Sequence, residues 1–371
     1  MEIMKMLEKK ELDRQDKLIY QKLKKVNKKK VSLDIIYLMA WTEICGGSKV
    51  ILEYVNRLSQ KGHNITIITY DKKPNWFPMN KSINFIQVPI DREIHEYITD
   101  ADIIVATSWK CIYEAIESNK APVVFFEQGG SHLFSKSELE ELKIEKLNNR
   151  YKMVPFIYTV SEYSRSVIKK EYGVDSKVIP IAIDNTIFYN RKQERNDNII
   201  EITAIGPEDF KFKNINEIIQ AVTELQKKYE NIHFNWITQK FPEKNKIECI
   251  VSPKQKEIGD ILRKTDIYVC ASEYESFGLP ILEAMSCGAT VVTTDTGGCR
   301  DFVKDKENAL MIEKHNIKDM KEKIELLIND KELRNRIIKN GLETARKYNW
   351  DNSTTLVEQY YKEISDYEID N

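Results

Sequence analysis

The sequence predicts an α/β protein with two parallel sheets in tandem. Short, continuous apolar runs recur along most of the chain, as expected for strands buried on both faces. Between them, apolar residues return at helical spacing. The rhythm pauses at a polar, proline-free stretch, residues 190–198, and then restarts. A length of 371 residues suits two domains of ordinary size.

Residues 1–32 precede this pattern. They are polar, helical in propensity and end in Lys24-Lys25-Val26-Asn27-Lys28-Lys29-Lys30. They read as a charged helical extension, either a solvated helix or tail, or a docking element for anionic lipid or a partner protein. The first α/β half spans 33–188. Leu33–Leu38 is a strand, a loop through Gly46-Gly47 follows, and Val50, Ile51, Tyr54, Val55 and Leu58 mark a helix that stops at Lys61-Gly62-His63. Further strands are expected at 65–69, 83–88, 103–106, 123–126, 157–160 and 178–181. The second half, 189–349, opens with a strand at 199–205. It continues with a helix over 216–229, strands at 233–237 and 246–251, and a helix over 257–263. Strands at 266–270, 289–294 and 309–312 follow, then one long helix over 317–348. Residues 350–371 predict a final amphipathic helix.

Composition narrows the function. Apolar residues make up 42% and charged residues 31%, and the net charge of −1 argues against general nucleic-acid binding. The six cysteines fall at no metal-ligand spacing and sit mostly in apolar runs, as small buried side chains of a reduced compartment do. No signal-peptide pattern or membrane-spanning run is present in the sequence, which predicts a cytoplasmic protein, with the inner membrane face as an alternative. Richness in Lys, Ile and Asn suggests a low-GC bacterial genome.

The densest stretch is Glu275-Ser-Phe-Gly-Leu-Pro-Ile-Leu-Glu283. A strand, Asp266–Cys270, leads into it. Pro280 suits the start of a helix because its missing N–H is not needed there, and Glu283 is expected in the first turn. Two acids beside a glycine turn and a helix N-terminus suit a phosphorylated, hydroxyl-rich ligand. Amides and the helix dipole favour phosphate, and carboxylates accept hydrogen bonds from hydroxyls.

This string resembles the Glu-x7-Glu signature of the retaining family-four glycosyltransferases (glycosyl transferases group 1) of GT-B fold. The resemblance covers most of residues 33–360. It implies two Rossmann-like domains with ligands in the cleft between them, and a C-terminal helix returning to the N-domain. Gly46-Gly47 is similar to the family's N-domain glycine loop, and Thr159–Arg165 with Val178–Phe188 to its domain-crossing segment. Thr294-Asp-Thr-Gly297-Gly298 is similar to the turn that places amides beside the donor diphosphate. Gly206-Pro-Glu-Asp-Phe-Lys211-Phe-Lys213-Asn214 resembles the Gly-Arg…Lys-Gly segment, with Pro207 at the arginine position and Asn214 after the lysine.

The resemblance implies a nucleotide-diphosphate-sugar donor, retention at the anomeric carbon, and neither metal nor cofactor. Glu275 and Lys213 are the expected catalytic residues. Gly46, Gly47, Lys211, Phe277, Gly278, Leu279, Glu283, Gly297 and Gly298 are expected at the donor, with Glu283 on the ribose. Ser252–Glu257 would pass the base. Glu127, Gln128 and His132 are candidates for the acceptor side, where many members carry a His. Acceptors implied are cell-surface glycans, lipid-linked saccharides or proteins. Two other readings stand beside this one: a catalytically silent GT-B partner subunit, motivated by Pro207 and by the unmatched N-domain His, and a nucleotide-sugar epimerase.

Overall fold

The computed structural model describes residues 2–15, 17–28, 30–190, 198–242 and 247–370. Most of the linker expected at 190–198, together with Lys29 and Lys246, lies outside the described residues. The chain divides into two compact units, one of Met1–Pro180 with Asp351–Asn371, the other of Ile181–Trp350.

The first unit opens with α1 (Glu2–Asp13) and β1 (Leu23–Lys25). The α/β alternation follows as β2 (Asp34–Leu38), α2 (Gly46–Gln60), β3 (Asn64–Thr69), β4 (Asn84–Gln87), β5 (Ile103–Ala106), α3 (Trp109–Glu117) and β6 (Val123–Glu127). It ends with α4 (Ser131–Phe134), α5 (Glu141–Met153), β7 (Phe156–Thr159), α6 (Glu162–Tyr172) and β8 (Lys177–Val178). Seven strands form one parallel sheet in the order β4-β3-β2-β5-β6-β7-β8. The expected Gly46-Gly47 loop is instead the first turn of α2, because the Cys45 thiol caps the helix by accepting the Ser48 N–H at 3.3 Å.

The second unit holds β9 (Ile200–Ile205), α7 (Ile215–Gln226), β10 (Ile232–Thr238), β11 (Ile250–Val251), α8 (Gln255–Lys264) and β12 (Ile267–Cys270). Then come α9 (Leu279–Cys287), β13 (Thr290–Thr294), β14 (Leu310–Ile312), α10 (Ile317–Asn329) and α11 (Lys331–Ala345). Its six strands are parallel, in the order β11-β10-β9-β12-β13-β14. The single long helix expected over 317–348 is two helices. Asp330 leaves helical geometry and accepts the Leu333 N–H at 2.8 Å, capping α11.

The last elements, α12 (Trp350–Ser365) and β15 (Tyr367–Ile369), complete the first unit. The Tyr361 hydroxyl meets those of Tyr37 and Tyr158 at 3.0 and 2.9 Å, all three side chains buried. Buried hydroxyls need such partners, and this triad fixes α12 on the sheet.

The N-terminal extension departs from the expectation of a solvated helix or tail. Leu7 is buried, and Glu11 receives two N–H bonds from the buried Arg150 guanidinium at 2.8 and 2.6 Å. Lys10 pairs with Glu93 at 2.5 Å, and Arg14 with Glu114 at 2.7 Å. Together Lys10 and Arg14 span Glu93, His95 and Glu114, the one His-carboxylate grouping of metal-binding dimensions among the described residues. The basic run is not on the helix either. It begins on β1, which pairs antiparallel with β15, and Lys24, Lys28 and Lys30 face Asp370, Glu368 and Asp102. Charges that look solvated in sequence are matched by acids distant along the chain.

Candidate functional site

The second unit builds its site at the carboxyl ends of β9, β12 and β13, where open parallel sheets bind ligands. After β9 the chain makes a short 3-10 turn over Lys211–Lys213, and Asn214 takes the left-handed conformation with φ 49°. Asparagine is among the few residues that adopt this readily, and its side-chain amide donates to the Ala271 carbonyl at 3.0 Å. That bond pins the β9 loop to the β12 loop. A second one, from Glu273 N–H to the Phe212 carbonyl at 2.7 Å, repeats the tie.

Between these ties Lys213 Nζ meets Glu275 Oε1 at 2.6 Å, both side chains largely shielded from solvent. The Ser272 hydroxyl donates to the same oxygen at 2.8 Å. Burial alone would lower the Lys213 pKa, but the Glu275 carboxylate outweighs it and the net shift is upward. Lys213 therefore stays a cation. The Glu275 backbone is fixed too: its N–H donates to Thr296 O at 2.9 Å, and its carbonyl accepts from Gly298 N–H at 3.1 Å. A Cβ on Gly298 would overlap the carbonyls of Glu275 and Ser276, so only glycine permits this approach. The Thr296 side chain is fully buried beside this turn.

Gly278, at φ 102°, precedes α9, and Leu279 and Pro280 are its first two residues. Glu283 is thus the fifth residue, one position past the first turn in which it is expected, because the helix starts at Leu279 rather than Pro280. The Phe277 ring is buried against Phe302 and Tyr348, so its side chain anchors the loop. Lys211 is exposed and forms no ion pair among the described residues.

The first unit holds a cavity of about 230 Å³ lined by Trp41, Cys45, Gly47, Trp109, Gln128 and His132 among others. Glu127, at the end of β6, is buried beside it. The carboxylate accepts from His132 Nε2 at 2.9 Å, from the Tyr151 hydroxyl and from Gly129 N–H. Burial pushes its pKa up, but His132 and these donors outweigh burial and hold it below the usual range. Gln128 donates to the Gly47 carbonyl at 3.3 Å. Gly46 and Gly47 thus share a unit with the three acceptor-side candidates, and Gly47 shares their cavity.

With this geometry defined, comparison with known proteins is direct. Residues 188–344 match the family model of glycosyl transferases group 1. An uncharacterized glycosyltransferase of Methanocaldococcus jannaschii is 32% identical over 226 residues, 57% of this chain and 60% of that protein. The chain therefore spans less than two thirds of that relative's length. The N,N'-diacetylbacillosaminyl-diphospho-undecaprenol alpha-1,3-N-acetylgalactosaminyltransferase of Campylobacter jejuni is 32% identical over 117 residues, 32% of this chain and 30% of that protein. Among solved structures, Anabaena HepE in complex with UDP-glucose aligns with TM-score 0.74 and 13% identity, over 89% of this chain and all of that one. The fold is GT-B, with two Rossmann-like units.

The group 1 match contains the whole second-unit site: Lys211, Lys213, Glu275, Phe277, Gly278, Leu279, Glu283, Gly297 and Gly298. Of these, the structure brings Lys213, Glu275 and the Gly297-Gly298 turn together. Sequence reasoning missed Ser272, Thr296, Tyr151 and the cavity tryptophans. Ser272 and Thr296 carried a signal, being small polar residues at strand ends beside the motif. Tyr151 carried none, since it reaches Glu127 from a helix distant in sequence.

Proposed function

We propose that the chain transfers a sugar from a nucleotide-diphosphate-sugar donor to a hydroxyl-bearing acceptor, with retention at the anomeric carbon, as a family-four glycosyltransferase. The observation that carries this reading is the shielded Lys213–Glu275 pair beside the Gly297-Gly298 turn, inside the group 1 match. As the bond between sugar and diphosphate breaks, the leaving group gains negative charge and the sugar gains oxocarbenium character. Lys213, the Gly297-Gly298 amides and the start of α9 supply preorganised positive potential to that leaving group, with no metal called on. Glu275 accepts hydrogen bonds from sugar hydroxyls, and Glu283 from the ribose. The acceptor oxygen then takes the place of the diphosphate oxygen on the sugar carbon, and its hydroxyl proton leaves with the departing diphosphate.

The first-unit cavity, with Glu127, Gln128 and His132, is the acceptor side of this reading. The acceptor is a cell-surface glycan, a lipid-linked saccharide or a protein. The name of the Campylobacter relative includes a diphospho-undecaprenol, which favours the lipid-linked class. Among the described residues no helix is long and apolar enough to cross a membrane. Pro207, at the position of the family's arginine, favours one rival reading, a silent partner subunit.

Thermal shifts with UDP, GDP, ADP and dTDP and their common sugar conjugates test the donor site. A ligand that binds only the folded protein raises its Tm. The expected result is a strong shift with one nucleotide series, abolished by Glu283→Ala. No shift with any of them overturns the proposal. Binding without turnover against every acceptor class places the silent subunit first.

A further inference from the structure

The turn between β14 and α10 reaches to two other loops of the donor sheet. His315 occupies it in the left-handed region, at φ 58°, a conformation that costs energy in most non-glycine residues. Its Nδ1 lies 2.8 Å from Glu217 Oε1, in the first turn of α7, just after Lys213 and Asn214. Its Nε2 lies 3.8 Å from Glu273 Oε1, two residues before Glu275. The other Glu217 oxygen is buried without a hydrogen-bond partner, so His315 is the one side-chain partner that carboxylate has among the described residues. The neighbouring Lys314 donates to the Glu273 carbonyl. Glu273 N–H donates to the Phe212 carbonyl, and the Phe212 ring stacks on Tyr274 at 4.7 Å. Loops from β9, β12 and β14 therefore meet at this one imidazole, and two of them present Lys213 and Glu275.

We propose that His315 is a positioning residue for the donor site: as an imidazolium it braces Glu217 against Glu273 and so fixes the Lys213–Glu275 pair, and when neutral it releases one of the two carboxylates. This rests on the donor-site reading above. An imidazolium donates from both ring nitrogens, whereas a neutral ring donates from one. The charged groups facing the ring are Glu217 from α7, Glu273 from the β12 loop and Lys314 on its own turn. The hydrogen bond to Glu217, the Glu217 charge and, less strongly, the Glu273 charge raise the His315 pKa against the smaller opposition of burial and Lys314. A group raised in this way stabilises the folded loops fully below its unfolded value of about 6.5 and loses that contribution as pH rises through its folded value. The ring is more than half exposed, so solvent screening keeps the effect to a few-fold.

The test compares wild type, His315→Gln and His315→Lys. Affinity for UDP, GDP, ADP and dTDP is measured calorimetrically at about pH 6 and about pH 9, either side of histidine titration. Protection against amide exchange over residues 211–217 and 273–275 is measured on the ligand-free proteins at both values. Taking wild type against His315→Gln cancels the titration of the nucleotide itself. The expected result is an affinity loss across this range roughly two- to fivefold larger in wild type than in His315→Gln. His315→Lys, charged throughout, binds at both pH values as wild type does at the lower. Exchange protection of the two segments falls with pH in wild type alone. Parallel affinity profiles in wild type and His315→Gln, or exchange indifferent to the substitution, overturn the proposal. Absence of nucleotide binding in all three proteins overturns the donor-site reading instead, and exchange then decides the brace by itself.

Discussion

Lys213 keeps its charge in a largely shielded place because the Glu275 carboxylate, itself held by the Ser272 hydroxyl, outweighs the cost of burial. In the proposed reaction, Lys213→Ala removes the cation offered to the leaving diphosphate, and Glu275→Ala removes its partner and the acceptor for sugar hydroxyls. Each is expected to cut transfer by at least about a hundredfold, the scale of losing one preorganised electrostatic contact. Steady-state rates against the acceptor that supports wild-type turnover check this, and near-normal turnover in both variants sinks the assignment. Asn214 gives a second residue-scale prediction. Its left-handed backbone makes Asn214→Gly the milder change, whereas Asn214→Ala pays the left-handed strain of about 1–2 kcal/mol. Urea denaturation should rank wild type and Asn214→Gly above Asn214→Ala. This also explains a mismatch in the sequence: asparagine stands where glycine is expected because both tolerate the same backbone. The exposure of Lys211 was not legible, since residues two apart on a tight turn look alike in sequence.

At the scale of elements, the extension shows where reading by pattern fails. Periodicity located the buried strands and most helices, because their apolar faces are written locally. The docking of α1 is written in pairs such as Glu11–Arg150 and Arg14–Glu114, whose members are distant in sequence and individually look like surface charges. Removing one partner of a buried ion pair strands the other, at about 3–5 kcal/mol. Glu11→Ala should therefore lower the stability of the first unit by that order, read from denaturant unfolding, whereas a loss below about 0.5 kcal/mol, the range of ordinary surface substitutions, would show that the helix is not anchored through this pair. The α10–α11 break was hidden for a related reason. Helical spacing continues across Asp330, and only its capping bond to Leu333 ends one helix and starts the next.

At the scale of the whole molecule, the two sheets and the returning C-terminal helix were legible because α/β alternation sets the architecture, and the site motif lies on its strand ends. The Glu127 constellation was only half legible, since Tyr151 joins it through tertiary packing alone. A nucleotide that stabilises the protein should slow amide exchange within Ile181–Trp350, around 211–217, 272–283 and 294–299, and protection confined to the other unit would contradict the donor assignment. The pairing of β1 with β15 has a consequence for synthesis. The ribosome delivers residues 23–25 long before their partners 367–369. α12, whose tyrosine closes the buried hydroxyl triad, emerges just before them. The first unit thus stays incomplete until residues beyond 350 emerge, while the second, uninterrupted between 181 and 350, can finish earlier. A nascent chain stalled before residue 351 would leave the unit begun first as the one needing protection from aggregation.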